Sequence, residues 1–385
     1  MFCVLLVEIM KEEELSTDPS LGSDLFRRKE RAIKAFVKIK SSENRKKRTW
    51  YDQQQSTPAA EDDFCWSSVA DCRIPSSECF TLIRELESCC STIPHRCSSR
   101  TKIFKISHSE PGLYLLSQAL CPDQQLFWAT RALEVYSTVE HTNLTNLSKL
   151  YEANDPAVGP KSSELKEIEK ELNNLWEKSI EENNNFNSFN KLRWSCLGYH
   201  YDWTKRSYQK NVKSGFPEEL AQLSQRVAEL VGNHFVPEAA IVNFYPLHTN
   251  MGGHLDDAEH DLSKPIVSLS LGRSAIFLIG GKLKSIDALP ILARSGDIVI
   301  MSGNSRLCYH GVPAIISQDL EKELTNEPCP ELETLCETPE SSTRHILEYL
   351  KEHRINMNIR QVRIDCSSDE KWIDKSGTGH VKYAP

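Results

Sequence analysis

From Arg354 to Arg360 the chain reads Arg-Ile-Asn-Met-Asn-Ile-Arg, and no other stretch restricts the fold as much. Successive side chains on a strand point to opposite faces. Ile355, Met357 and Ile359 therefore share one side, and Arg354, Asn356, Asn358 and Arg360 share the other. Two guanidinium groups and two amides on one face of an otherwise buried strand are costly unless they meet buried anions, for which a dicarboxylate is the natural candidate. At about 3.3 Å per residue the backbones of Arg354 and Arg360 are about 20 Å apart, so the two arginines serve opposite ends of a site.

Period-two strand patterns recur upstream at 239–245, 266–271, 274–280, 297–302 and 309–315, with this last strand spanning 356–364. Turn signals such as Gly280-Gly281 and Ser295-Gly296-Asp297 separate them. Strands in this number, without a helix between each pair, fit a double-sheet jelly roll better than a parallel α/β sheet. Helices are expected at Pro122–Tyr136, 163–182 and Pro217–Val231, with a short helix or turn at His345–Arg354. The expected class is α+β: a double-stranded β-helix (jelly roll) core, flanking helices and an irregular N-terminal extension.

His254-Leu255-Asp256 lies among these strands. A His and an Asp two residues apart on extended backbone point the same way and can share one metal. His310, 54 residues after Asp256, stands at the edge of another strand. Two imidazoles and one carboxylate fit the facial triad of non-haem Fe(II) oxygenases, which leaves three positions open. Asn243 and Tyr245 project together from 239–245 as further hydrogen-bonding groups. Asp257 reads as a solvated carboxylate, not a fourth ligand.

N-x-Y, then H-x-D, a distal His and R-x-N-x-x-x-R together resemble the AlkB-type Fe(II)/2-oxoglutarate dioxygenases, most closely the eukaryotic AlkB homologue 1 branch. The likeness extends to Leu192-Arg193-Trp194, Gly198–Trp203, Ser274–Leu278 and Ser295–Gly303. It covers about residues 100–365, strongly after 190. The resemblance implies Fe(II), 2-oxoglutarate and O2 as cofactors, with His254, Asp256 and His310 as metal ligands. It also implies that Arg354 binds the distal carboxylate of 2-oxoglutarate with Asn243 and Tyr245 assisting, and that Asn356 and Arg360 lie nearer the iron. The implied reaction is oxidation of methyl groups on nucleobases, such as 1-methyladenine and 5-methylcytosine in tRNA or N6-methyladenine in DNA. Chemistry on a base needs it unpaired or flipped. The aromatic stretch Leu192–Trp203 is then either a packed edge of the core or a stacking platform, with Trp194, Tyr199 and Tyr201 as substrate contacts. Two other readings stay open: a demethylase or hydroxylase of protein, such as histone lysine, and an inactive nucleic-acid-binding module.

The formal net charge of −8 argues mildly against nucleic acid, but it is unevenly spread. Residues 27–48 carry eleven Lys or Arg against two Glu, whereas 317–340 is acidic. The basic segment, with a helix expected at 24–40, reads as a solvated helix or as a nucleic-acid or targeting arm. Arg45–Arg48 could equally serve as a nuclear signal. The 13 cysteines lack a C-x-x-C in the 65–97 cluster and read as free thiols of a reducing compartment. No apolar run approaches the roughly 18 residues of a membrane helix. The expected organisation is a basic, Cys-rich extension over 1–100, a lead-in over 101–190, a dioxygenase domain over 191–366 with a mobile insertion at 317–343, and a tail over 367–385. The expected partner is tRNA or DNA, without a membrane and with histone contact as an option, for a monomer acting inside the cell in nucleus, mitochondrion or cytoplasm.

Overall fold

A computed structural model describes residues 24–48, 68–73, 78–88, 90, 100–138, 141–144, 175–325 and 341–363. In chain order the elements used below are α1 (Leu25–Arg48), β1 (Phe80–Leu86), β2 (Thr101–Ile106), β3 (Leu113–Ser117), α2 (Pro122–Thr130), β4 (Trp194–Asp202), β5 (Ser207–Lys213), α3 (Glu218–Leu230), β6 (Ala239–Pro246), β7 (Met251–His254), β8 (Ile266–Gly272), β9 (Ala275–Ile279), β10 (Leu289–Ala293), β11 (Ile298–Met301), β12 (His310–Ile315), α4 (Gln318–Leu324), α5 (Ser341–Glu352) and β13 (His353–Arg360).

The described strands form two antiparallel sheets. The larger runs β1-β2-β3-β11-β8-β13-β6-β4-β5, and the smaller runs β10-β9-β12-β7. Ile279 and Ile291 of the smaller sheet pack against Leu113, Leu115, Ile266, Val299 and Met301 of the larger, which makes the expected jelly-roll sandwich. On the opposite face of the larger sheet, Ile355, Met357 and Ile359 join Phe244, Val242, Val267 and Leu269 in the main core. Trp128 of α2, Leu220, Leu223 and Val227 of α3, and Ile346 and Tyr349 of α5 cover them. The alternation in β13 thus sorts as its sequence dictates, apolar side under helices and polar side between the sheets.

Several expectations need correction. β13 begins at His353 and ends at Arg360, ahead of the expected 356–364, because the helix before it stops at Glu352. The helix expected over Pro122–Tyr136 is α-helical only to Thr130, then continues as one π turn over Arg131–Val135. Residues 1–100, expected to be irregular apart from a helix at 24–40, also supply β1. α1 is a packed helix, not a solvated one: Phe26, Ile33 and Val37 are spaced seven and four residues apart, so they form one stripe, and they pack with Ile276, Leu278, Leu292 and Ala314 on the outer face of the smaller sheet. The boundaries at 101 and 191 do not divide the structure, because β1, β2 and β3 belong to the same sheet as β13, with β3 paired to β11.

The insertion at 317–343 is ordered at its start. Ser317 caps α4 by accepting the Leu320 N–H at 3.3 Å. Within α4, Glu321 is fully buried beside Ser274 and Arg294. Arg294 is itself fully buried and grips Asp71 with two bonds of 2.6 Å. Such a charge must be paired to be tolerated, and its two carboxylates tie residue 71 and α4 to the residue that follows β10. The expected helix over 163–174, the acidic run 326–340, the tail 367–385 and Cys65, Cys89 and Cys97 lie outside the described residues.

Candidate metal and 2-oxoglutarate site

The inward face of the larger sheet is laid out by its register. Trp194, Asn243, Asn356 and Ser270 stand in one row across β4, β6, β13 and β8, and Tyr245, Arg354 and Gly272 stand in the next. Trp194 is half-buried, and Asn243, Tyr245, Ser270, Arg354, Asn356 and Arg360 are all buried. Opposite them, β7 ends at His254 and β12 begins at His310, directly paired across the smaller sheet.

Ligand atoms of His254, Asp256 and His310 all lie within 4.8 Å of one another. The Asp256 carboxylate is 3.7 Å from Nε2 of His254 and 3.4 Å from Nε2 of His310. Each imidazole has its other nitrogen beside a backbone carbonyl, His254 Nδ1 at 2.9 Å from Gly252 and His310 Nδ1 at 3.0 Å from Cys308. A carbonyl can only accept, so each Nδ1 carries a proton, and each Nε2 faces the carboxylate. Burial, reinforced by the adjacent His310, depresses the proton affinity of His254. For Asp256, burial pushes the carboxyl upward, but Arg360 and the two imidazoles outweigh it and hold the group well below the usual carboxylate range. The donor set is thus two imidazoles and one carboxylate, which suits Fe(II) and leaves open positions.

Arg360 donates to Asp256 Oδ2 at 2.9 Å and to Glu259 Oε1 at 2.8 Å. Glu259 also accepts from Arg306 at 2.6 Å, and Arg306 donates to the backbone carbonyl of Asp256. Two arginines and two carboxylates therefore form one buried set, in which Arg360 fixes the orientation of a metal ligand. Sequence reading missed Glu259 and Arg306. Their only signal is that Arg360 and Asp256 alone leave a buried guanidinium half satisfied.

Arg354 presents the opposite case. It is buried and donates only to Ser270 Oγ at 2.8 Å and the Arg273 carbonyl at 3.3 Å, with Nε unpartnered. No carboxylate within ion-pair distance of it is found among the described residues, and burial pushes its pKa down to about 10. Tyr245 stands beside it, its phenol pushed up to about 12 by burial. A buried guanidinium without an anion in ion-pair reach is suited to hold the carboxylate of a bound ligand. Asn356 is less free than expected: its Nδ2 is spent on Ser268 Oγ at 2.9 Å and the Leu269 carbonyl at 2.8 Å. Arg354 and Arg360 thus have different partners, Ser270 for the first and Asp256 with Glu259 for the second.

Of the expected stacking residues, Tyr199 is unavailable. It is buried, because β4 turns from β6 to β5 at Gly198, whose φ of +69° and contact with the Glu238 carbonyl admit no side chain. Lys213 and Arg363 lie over its ring. Trp194 and Tyr201 are half-buried and meet at Trp203, with ring centroids 5.2 and 4.7 Å away, and Trp203 is 46% exposed. The β4–β5 hairpin also carries Arg206, 3.7 Å from Asp257, next to the ligand Asp256.

A two-sheet barrel with this donor set at one end and an anion-starved arginine inside defines an Fe(II)- and 2-oxoglutarate-dependent dioxygenase. The family model for the 2OG-Fe(II) oxygenase superfamily matches residues 159–360, and the chain belongs to that family. Within it the chain falls in the AlkB homologue 1 branch. It is 36% identical over 278 residues to the Arabidopsis thaliana DNA N(6)-methyladenine demethylase ALKBH1A, covering 66% of this chain and 76% of that protein. To the Homo sapiens nucleic acid dioxygenase ALKBH1 it is 34% identical over 262 residues, covering 66% and 64%. The Schizosaccharomyces pombe tRNA demethylase abh1 is 36% identical over 183 residues, covering 45% and 53%. A solved structure described as OsALKBH1 aligns at a TM-score of 0.42 and 23% identity, covering 66% of this chain and 99% of that one. The cofactors are Fe(II), 2-oxoglutarate and O2; His254, Asp256 and His310 could hold the metal, and the geometry of Arg354 suits a carboxylate.

Proposed function

We propose that this protein oxidatively demethylates nucleobases in RNA or DNA. The observation that carries this reading is the aromatic group Trp194, Tyr201 and Trp203 on a hairpin whose Arg206 reaches Asp257. An exposed ring beside an iron site is suited to stacking an unpaired base, and the hairpin's Lys205, Arg206 and Lys210 suit the phosphates around it. Relatives described as acting on DNA N6-methyladenine, on tRNA and on RNA N6-methyladenosine point the same way. With iron bound, oxidative decarboxylation of 2-oxoglutarate to succinate supplies the oxidising power. The chain's own tasks are to hold the co-substrate through Arg354, to keep Asp256 ionised and oriented through Arg360, and to present the methyl group.

The experiment offers single-stranded RNA and DNA oligonucleotides carrying 1-methyladenine, 5-methylcytosine or N6-methyladenine and measures modified nucleoside by mass spectrometry. Loss of one modification with the wild-type protein and not with His254→Ala supports the reading. No loss from any of them, while a methylated histone peptide is consumed, replaces it with the protein-demethylase alternative. Monomeric state and a nuclear or mitochondrial address are part of the proposal. Light scattering of the purified chain checks the first and a fluorescent fusion the second.

A further inference from the structure

We propose that Phe26, delivered by α1 from outside the span matched by the family model, is a positioning residue for the metal site: its ring holds the strands bearing His254 and His310 in place from behind. The inference rests on the metal reading of those two histidines.

β7 is only four residues long, lies at the edge of its sheet, and pairs with β12 through an irregular register, His310 with His254 and Val312 with Met251. Backbone pairing of that extent specifies position weakly. What β7 lacks in hydrogen bonds, α1 supplies. The Phe26 ring occupies the space where a side chain at Gly253 would start, 2.2 Å from the would-be Cβ, and likewise at Gly280, at 2.7 Å. Gly253 immediately precedes His254. The same ring lies 6.3 Å, centroid to centroid, from Tyr309, which immediately precedes His310. Phe26 is thus 2% exposed and touches the residue before each histidine ligand.

Two polar contacts fix α1 in this position. The Phe26 N–H donates to the Lys284 carbonyl at 3.0 Å. One turn on, the Glu30 carboxylate accepts the Gly253 N–H at 3.4 Å, covering a backbone donor that an edge strand would otherwise leave open. Close packing transmits displacement and does not absorb it. A void at Phe26 therefore lets β7 shift against β12 and spreads the two Nε2 atoms.

The test is a double-mutant cycle between Phe26→Ala and Gly253→Ala, read by anaerobic Fe(II) titration in the presence of 2-oxoglutarate and followed by the visible charge-transfer absorbance of the complex. Near-ultraviolet circular dichroism checks that each variant is folded. Each single substitution is expected to weaken Fe(II) binding by about tenfold, the usual scale for groups that support metal ligands. In the Phe26→Ala background, Gly253→Ala is expected to add almost nothing, because the clash it creates is with the missing ring. If Phe26→Ala does not fold, Phe26→Leu takes its place in the cycle. Folded single variants with wild-type Fe(II) affinity, or losses that simply add, overturn the proposal. Failure of the wild-type chain to bind Fe(II) overturns the metal reading itself.

Discussion

Replacing Arg354 by Met makes the apoprotein more stable while abolishing its response to 2-oxoglutarate. Arg354 is cationic, buried and without a carboxylate in ion-pair reach among the described residues, and burial depresses its pKa to about 10. A base whose affinity for protons is lower folded than unfolded destabilises the fold wherever it is protonated. The full penalty applies below pH 10 and is relieved only as the pH rises above it. At 1.36 kcal/mol per tenfold change the penalty at neutral pH is roughly 3 kcal/mol. Methionine removes it, at the loss of the bonds to Ser270 and the Arg273 carbonyl, about 1 kcal/mol together because one is long. The net gain of about 2 kcal/mol corresponds to a melting temperature higher by roughly 2–3 °C for a chain of this size. Thermal melts of metal-free protein, with and without 2-oxoglutarate, read both effects. Wild type gains stability with the co-substrate, by about 2.7 kcal/mol at a hundredfold excess over its dissociation constant, and Arg354→Met gains none. A variant that melts below wild type, or that 2-oxoglutarate still stabilises, refutes the argument that this arginine awaits an anion.

Glu259→Gln leaves Arg306 and Arg360 without their shared carboxylate, and should cost about 3–5 kcal/mol in a urea melt at pH 7.5. An unchanged midpoint would mean that the arginines find other partners. Acid should also weaken the fold. Burial lowers His200 to about 3 and His353 to about 4, so both stay neutral in the folded protein while the unfolded chain takes up protons near pH 6.5. Their stabilisation is complete above that pH and is lost as it falls, roughly 2 kcal/mol each by pH 5; urea midpoints at pH 7.5 and 5 measure it, and equal midpoints contradict it. Trp203→Ala should weaken binding of a single-stranded oligonucleotide by about 1–3 kcal/mol, measured by fluorescence anisotropy, with 2-oxoglutarate binding unchanged.

The inner face of the site was legible because strand periodicity is a local property. Alternation in 354–360 places Arg354 and Arg360 on one side, and H-x-D with a distal His marks the candidate metal site. What could not be read depends on contacts across long separations. Nothing near Glu259 indicates that it neutralises Arg306 and Arg360, 47 and 101 residues away. The stripe Phe26, Ile33, Val37 is too sparse to distinguish a packed helix from a solvated one until the sheet it covers is known. Tyr199 and Trp203 share one aromatic run, and only the turn at Gly198 decides that the first is buried and the second exposed. α4 reads as part of an acidic loop because its one buried carboxylate answers a distant cation, Arg294.

The most direct test of the account is the coupling between co-substrate and methyl group. Protein loaded anaerobically with Fe(II), 2-oxoglutarate and a methylated oligonucleotide is exposed to oxygen, and succinate and modified nucleoside are quantified in the same sample. One succinate formed per methyl group removed, with both absent in His254→Ala, is the predicted result. Succinate at the same rate without the oligonucleotide would contradict the nucleobase reading, and no succinate from the folded protein would contradict the metal site itself.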